Sequence, residues 1–280
     1  MPSFDTPEPI AVNAHIGAGS LRITASDRLD TVVEVRPSSS KRDKDVRAAE
    51  QTEVTYAGGV LTVRTKERRL IGPSGAVDVT VDLPTGSRLD VTGSWTPVLG
   101  EGRLGEVSVK TSGGDVRLDT TGPLQMTVSH SSIAVDRIEG TSEITTSTGS
   151  LRVGIVDGPA VLKNSHGTTT VGTVTGDLRV SGAHGGIDIE RAEGSVTATT
   201  AHGTLRVGEV SCGTVQLETG YGGIEVGVRE GTAAWLDASS ERGQVRNTLA
   251  SSEAPGETED SVTIRARTRW GTIDVRRARP

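Results

Sequence analysis

GDLRVSGAHGGIDIERAE (176–193) runs straight into GSVTATTAHGTLRVGEVS (194–211); the two strings share an opening glycine, an apolar rhythm and a histidine–glycine pair. Recurrence at a short fixed period is the mark of a repeat architecture, and it has to be read before any single element. With the opening glycine as position zero, the same phase appears at Gly122, Gly140, Gly158, Gly176 and Gly194, then at Gly213 and Gly231 after steps of 19 and 18 residues. Apolar residues fall at positions two and four (Leu124/Met126, Leu178/Val180, Val196/Ala198, Val215/Leu217). They fall again at eleven, thirteen and sixteen (Ile133/Val135/Ile138, Leu151/Val153/Val156, Ile187/Ile189/Ala192, Leu205/Val207/Val210). Alternation by two describes a strand with one buried face, so each unit predicts two short strands separated by a turn.

The residues between are polar and mixed in sign. Position twelve reads Ala134, Arg152, Thr170, Asp188, Arg206 and Glu225, a solvent face. No stretch of the repeats carries a helical period, so crossover helices are not expected. Units of constant length opened by glycine predict an all-β, mostly parallel β-solenoid (β-helix) of ~18-residue coils, in which equivalent positions stack. An antiparallel meander of hairpins has the same apolar pattern and is the competing topology.

The template extends outward from the repeats. Gly105 opens a slightly short unit; Val12/Ala14, Gly19 and Leu21/Ile23 match near the start, as do Val54, Gly59 and Leu61/Val63, and Ile264/Ala266, Gly271 and Ile273/Val275 match near the end. Two segments interrupt it: KRDKDVRAAEQT (41–52), a short helix or charged loop, and the acidic loop SSEAPGETED (251–260). The expected organisation is one continuous domain, with an irregular part over 1–104 and regular repeats over 105–280.

Composition fits a thin-cored sheet protein. The 280 residues include 36 Gly but one Phe, two Tyr and three Trp, so Val, Ile, Leu, Ala and Thr must fill the interior. A net charge of −6 leaves no basic footprint for nucleic acid or an anionic membrane surface. No apolar run approaches the roughly 20 residues that span a bilayer. Cys212, the only cysteine, suits a reducing compartment, and MPSFDTPEPI has neither the basic nor the apolar region of a secretory leader. These features lead to the expectation of a soluble, cytoplasmic protein.

Candidate chemistry centres on position eight, which holds His130, Thr148, His166, His184, His202 and Tyr221, with Trp270 in the equivalent place in the last unit. Stacked coils would bring these residues to one edge. Imidazole is a common metal ligand, so His166, His184 and His202 form one candidate metal set. The simpler reading is turn chemistry: histidine precedes glycine between two strands, where a positive φ is wanted and histidine is one of the more tolerant residues. SGGDVRL (112–118) and HGGIDIE (184–190) lack the nonapeptide period of calcium-binding β-rolls. Asp188 and Arg206 on adjacent coils read as a cross-strand ion pair rather than lyase machinery. Without a positioned histidine, Cys212 reads as inert. Trp95 and Trp270 read as packing or capping residues. The chain has no G-x-S-x-G, P-loop or H-E-x-x-H, and no cofactor is expected.

Taken together, MPSFDTPEPI, DTVVEVRPS, GRLGE, the GDLRV repeats, AAWLD and VRNTLA followed by VTIRART make the chain resemble a bacterial family of β-strand-repeat proteins labelled "putative adhesin". The resemblance implies a right-handed, mostly parallel β-solenoid and transfers no catalytic residues. The expected function is a non-catalytic scaffold that binds an unidentified protein or peptide, with His130, His166, His184, His202, Tyr221 and Trp270 as the candidate edge site. The alternative is an enzyme or biosynthetic accessory protein acting on a small molecule or peptide at that edge. Self-association through exposed strands at the solenoid ends is a further expectation.

Overall fold

The computed structural model describes residues 2–65, 75–249 and 260–278, which divide between two compact units, 1–139 and 140–280. The architecture is the predicted β-solenoid. In the second unit each coil contributes one strand to a first sheet and one to a second, and strands of successive coils pair in parallel. Ala160–His166 lies beside Leu178–His184, and that strand beside Val196–His202. Thr169–Val174, Ile187–Ala192 and Leu205–Val210 pair in the same way on the second sheet. The antiparallel meander is thereby excluded for the repeats.

Register explains the core. Leu162, Val180, Ala198 and Leu217 follow one another across the first sheet; Ile187, Leu205 and Ile224 do so across the second. All seven side chains are buried. Each fully buried Val, Leu or Ile contributes about 1.5–3 kcal/mol, so stacked apolar rows replace the missing aromatic core.

The last coils do not stack in chain order. Gly213–Tyr221 pairs with Ser261–Trp270, and Ser261–Trp270 pairs on its other side with Ala233–Arg242. The second sheet repeats this order, with Ile273–Arg277 between Ile224–Val228 and Val245–Asn247. The chain passes over one coil's width and returns to fill the gap, so the outermost coil is 233–247.

The first unit follows the template with four departures. Asp30–Pro37 pairs antiparallel with both Ser3–Asp5 and Val77–Pro84. Ala11–Ser26 is one long strand whose first half pairs with Arg88–Trp95 and whose second half pairs with Val77–Pro84 and Val98–Arg103. The 41–52 insertion contains the one helix among the described residues, Asp43–Glu50, whose buried Asp45 Oδ1 accepts the Ala76 N–H at 3.0 Å. The Val54/Gly59/Leu61 match is corrected: Glu53–Ala57 and Val60–Arg64 form an antiparallel hairpin, and Leu61 and Val63 lie beside Val12 and Ala14. Gly58 and Gly59 have φ of +57° and +78°, the mirror-image turn that reverses a chain tightly, so Ala57-Gly58-Gly59-Val60 ends a coil before it forms. Of the acidic loop 251–260, residues 251–259 lie outside the described residues.

Glycine at position nine is required by geometry. Gly185 has φ +137°, and a Cβ there would collide with the carbonyl oxygen of Gly167 in the preceding coil. Gly231 also has positive φ (+81°) but faces open space. Gly185→Ala is expected to cost about 3 kcal/mol or more and Gly231→Ala about 1 kcal/mol, read from urea unfolding midpoints.

Candidate functional site

The parallel register brings Thr148, His166, His184, His202, Tyr221, Trp270 and Arg242 into one row along the first sheet of the second unit. Each residue is the last of its strand. Adjacent strands lie ~4.8 Å apart, which is also the contact distance of flat rings. The rings therefore stack: His166 on His184 at 5.1 Å between centroids and 24° between planes, His184 on His202 at 4.9 Å and 8°, and His202 on Tyr221 at 4.8 Å and 7°. Trp270 continues the stack at 6.1 Å from Tyr221, and the Arg242 guanidinium carbon covers its other face at 4.4 Å. The result is a strip of five rings closed by a cation.

His130 belongs to the first unit, where it lies in register with Gly113, and Gly113 with Trp95. The Trp95 ring occupies the space that a side chain on Gly113 would need. Trp95 is 62% exposed, Trp235 63% and Trp270 45%, so all three tryptophans are surface groups.

The turn chemistry needs correction. No described non-glycine residue has positive φ; Gly167, Gly185, Gly203, Gly222 and Gly271 take it instead. The histidines end their strands in extended conformation, and the following glycine makes the corner. Ring stacking therefore accounts for the recurrence of planar side chains at this position. In the metal set His166, His184 and His202, consecutive ring centroids lie 4.9–5.1 Å apart, so the rings meet through their faces. Among the described residues no group of three or more His, Cys, Asp or Glu is placed to hold a metal ion.

Behind the strip lies a second row that the sequence reading missed. In the second unit position six points inward but is mostly polar, and in several coils its side chain bonds the carbonyl of a position-nine glycine on a neighbouring coil, though the buried Thr146 hydroxyl does not. Asn164 Nδ2 donates to Gly149 O at 3.0 Å, Thr219 Oγ1 to Gly203 O at 3.0 Å, Thr268 Oγ1 to Gly222 O at 3.0 Å and Ser240 Oγ to Gly271 O at 2.8 Å. These bonds hold the corners on which the rings stand. The legible signal was a Thr, Asn or Ser at a position whose parity places it in the core. Gly182 occupies the position in one coil and supplies no such bond.

Beside the strip is an open groove of about 790 Å³, lined by His202, Tyr221, Glu218, Arg267, Arg269 and Glu241 among others. At position seven its lining runs from the small Ala201 and Gly220 to the charged Arg269 and Glu241. Arg267 binds the Asp237 carboxylate at 2.6 Å and the Asp237 carbonyl oxygen at 2.8 Å, tying the outermost coil to its neighbour. That guanidinium, through its hydrogen bond and then its charge, holds the Asp237 carboxyl below the ordinary carboxylate range. On the second sheet Arg206 pairs with Asp188 at 3.2 Å and approaches Glu225 at 4.0 Å, the cross-strand arrangement expected from sequence. Cys212 Sγ donates to Glu193 O at 3.0 Å.

Comparison with known proteins agrees with the resemblance drawn from the repeats. Residues 10–278 match the family described as Toastrack DUF4097. No curated protein matches the chain. Similar solved structures include a "putative adhesin" of Parabacteroides merdae, with 14% identity, 80% of this chain and 94% of that chain covered, and a TM-score of 0.41. Another "putative adhesin", from Bacteroides fragilis, has 11% identity, 98% and 95% coverage and a TM-score of 0.30. A "putative cell adhesion protein" of Clostridium sporogenes has 11% identity, 99% and 98% coverage and a TM-score of 0.24.

Two outcomes follow from the strip. His184→Ala removes a ring stacked on both faces and is expected to lower stability by about 1 kcal/mol, while His184→Phe stays within about 0.5 kcal/mol, by urea unfolding. The depressed Asp237 carboxyl stabilises the fold fully above its unfolded pKa, and that contribution is lost as pH falls through the lower folded value. The stability gap between the parent and Asp237→Asn should thus be constant above about pH 4 and shrink below it, measured as unfolding midpoint against pH.

Proposed function

We propose, for a chain that belongs to the Toastrack DUF4097 family, that the second unit is a non-catalytic binding module whose ring strip and adjoining groove receive a protein or peptide partner. The observation that carries this reading is the unbroken stack from His166 to Arg242 beside a groove of about 790 Å³. Catalytic groups converge on a reacting atom, whereas these imidazoles stand side by side with their faces occupied by one another. What they offer outward is a row of ring edges, held by their neighbours and, at the Gly203 and Gly222 corners among others, by inward hydrogen bonds. Rigid aromatic groups lose little conformational entropy on binding and dominate the energetics of many interfaces. The groove adds both charges, Glu218 and Glu241 with Arg267 and Arg269, which suits polar groups of a peptide backbone and mixed side chains. The composition, with one cysteine, favours a reducing compartment such as the cytoplasm for this activity.

The test uses the full chain as bait in extracts of its source cells, with His184→Asn and Tyr221→Ser combined, and with Arg206→Ala on the second sheet as the control. Partners retained by the parent and the control but reduced at least tenfold by the double variant support the reading. Equal recovery with all three baits overturns it.

A further inference from the structure

The outermost strand of the second unit, Ala233–Arg242, pairs on one side with Ser261–Trp270, in continuous register from Ala233↔Ser261 to Ser240↔Thr268. Among the described residues no strand pairs with its other side. Ala233 N–H donates to Asp260 O at 2.9 Å, so by alternation the N–H and C=O groups of Ala234, Leu236, Ala238 and Ser240 face away from the paired side. Some of the devices that blunt such edges are missing here: residues 233–247 contain no proline and no lysine, and the pairing has no bulge, although Asp237, Glu241 and Arg242 put charges on the strand.

The core is also left open at this end. Val262, Ile264 and Ala266 are buried, but the equivalent Ala234, Leu236 and Ala238 of the outer coil are only half-buried, and Val245 is 43% exposed. A row of apolar side chains thus ends at an unpaired strand, which is the state of a sheet interrupted rather than finished.

We infer that this edge pairs with the same edge of a second copy of the chain, antiparallel and about a two-fold axis through Ala238. The self-complementarity of the strand argues for this occupant. With Ala238 opposite its own copy, Leu236 meets Ser240, Asp237 meets Ser239, Trp235 meets Glu241 and Ala234 meets Arg242. No like charges are opposed. Leu236, Ala238 and Ser240, whose backbone groups face outward, meet only one another, so their hydrogen bonds are made across the axis, while the Arg242 carbonyl opposite Ala234 is already taken by the Gly271 N–H at 3.2 Å. Inward residues meet inward residues, which joins the two open cores. A register one residue shorter would set Asp237 against Asp237 of the partner copy. Because the contact is isologous it closes at two copies and does not grow.

Sedimentation equilibrium of the full chain tests the inference, with thermal melts and circular dichroism showing that each variant folds. The parent is expected to be in concentration-dependent monomer–dimer equilibrium. Ser239→Lys faces Asp237 twice in the dimer and should tighten it about tenfold, while Ser239→Asp should loosen it by a similar factor. Ala238→Pro removes an outward N–H that the monomer does not use and should abolish the dimer while the chain stays folded. A parent that is monomeric throughout, growth beyond two copies, or a dimer indifferent to the sign of the charge at residue 239 would each overturn the proposal.

Discussion

Parallel hydrogen bonding between coils is the constraint from which the rest follows. It fixes neighbouring strands ~4.8 Å apart and allows no slip, because a shift by one residue would turn every apolar side chain out of the core. A repeat held in that register lays each position directly over its counterpart. Leu162, Val180, Ala198 and Leu217 become an apolar row for this reason, and His166, His184, His202, Tyr221 and Trp270 become a ring stack for the same one. With one Phe and two Tyr in the chain, rows of small branched residues are its main source of buried apolar area.

The same register explains why the candidate site is rigid without a conventional pocket floor. Each glycine corner passes close under the next, leaving no room for a side chain, and the carbonyls of Gly149, Gly203 and Gly222 are taken by the buried Asn164, Thr219 and Thr268. Leaving such a carbonyl unpaired in the interior would cost about 1–3 kcal/mol, a cost that the inward polar side chains remove at these corners. The rings outside the corner and the hydroxyls inside it are two sides of one construction.

Where the chain departs from simple repetition, local chemistry or chain routing decides. Gly58-Gly59 turns the strand back on itself, so a segment with the apolar spacing of a coil becomes a hairpin. At the other end, residues 261–277 occupy the place beside 213–228 that chain order would give to 233–247. Either segment has the alternation needed to stand there. Ser261–Trp270 supplies Val262, Ile264 and Ala266 to the row and has a strand on both sides, whereas the outer strand supplies Ala234, Leu236 and Ala238 and tolerates exposure.

The sequence by itself determined the period, the two strands per coil, the identity of the inward apolar rows and the alignment of the histidines, because these depend only on spacing and on the alternation of a strand. It also carried the family resemblance, which rests on text. Only the tertiary structure decided which residue bears the unusual backbone angle, that the rings lie face to face, that Arg242 closes their stack and that the last coils exchange places. Those outcomes depend on contacts between residues distant in the chain. Arg242 and Trp270 are 28 positions apart, and the side chains around them, not their separation along the chain, bring them within 4.4 Å.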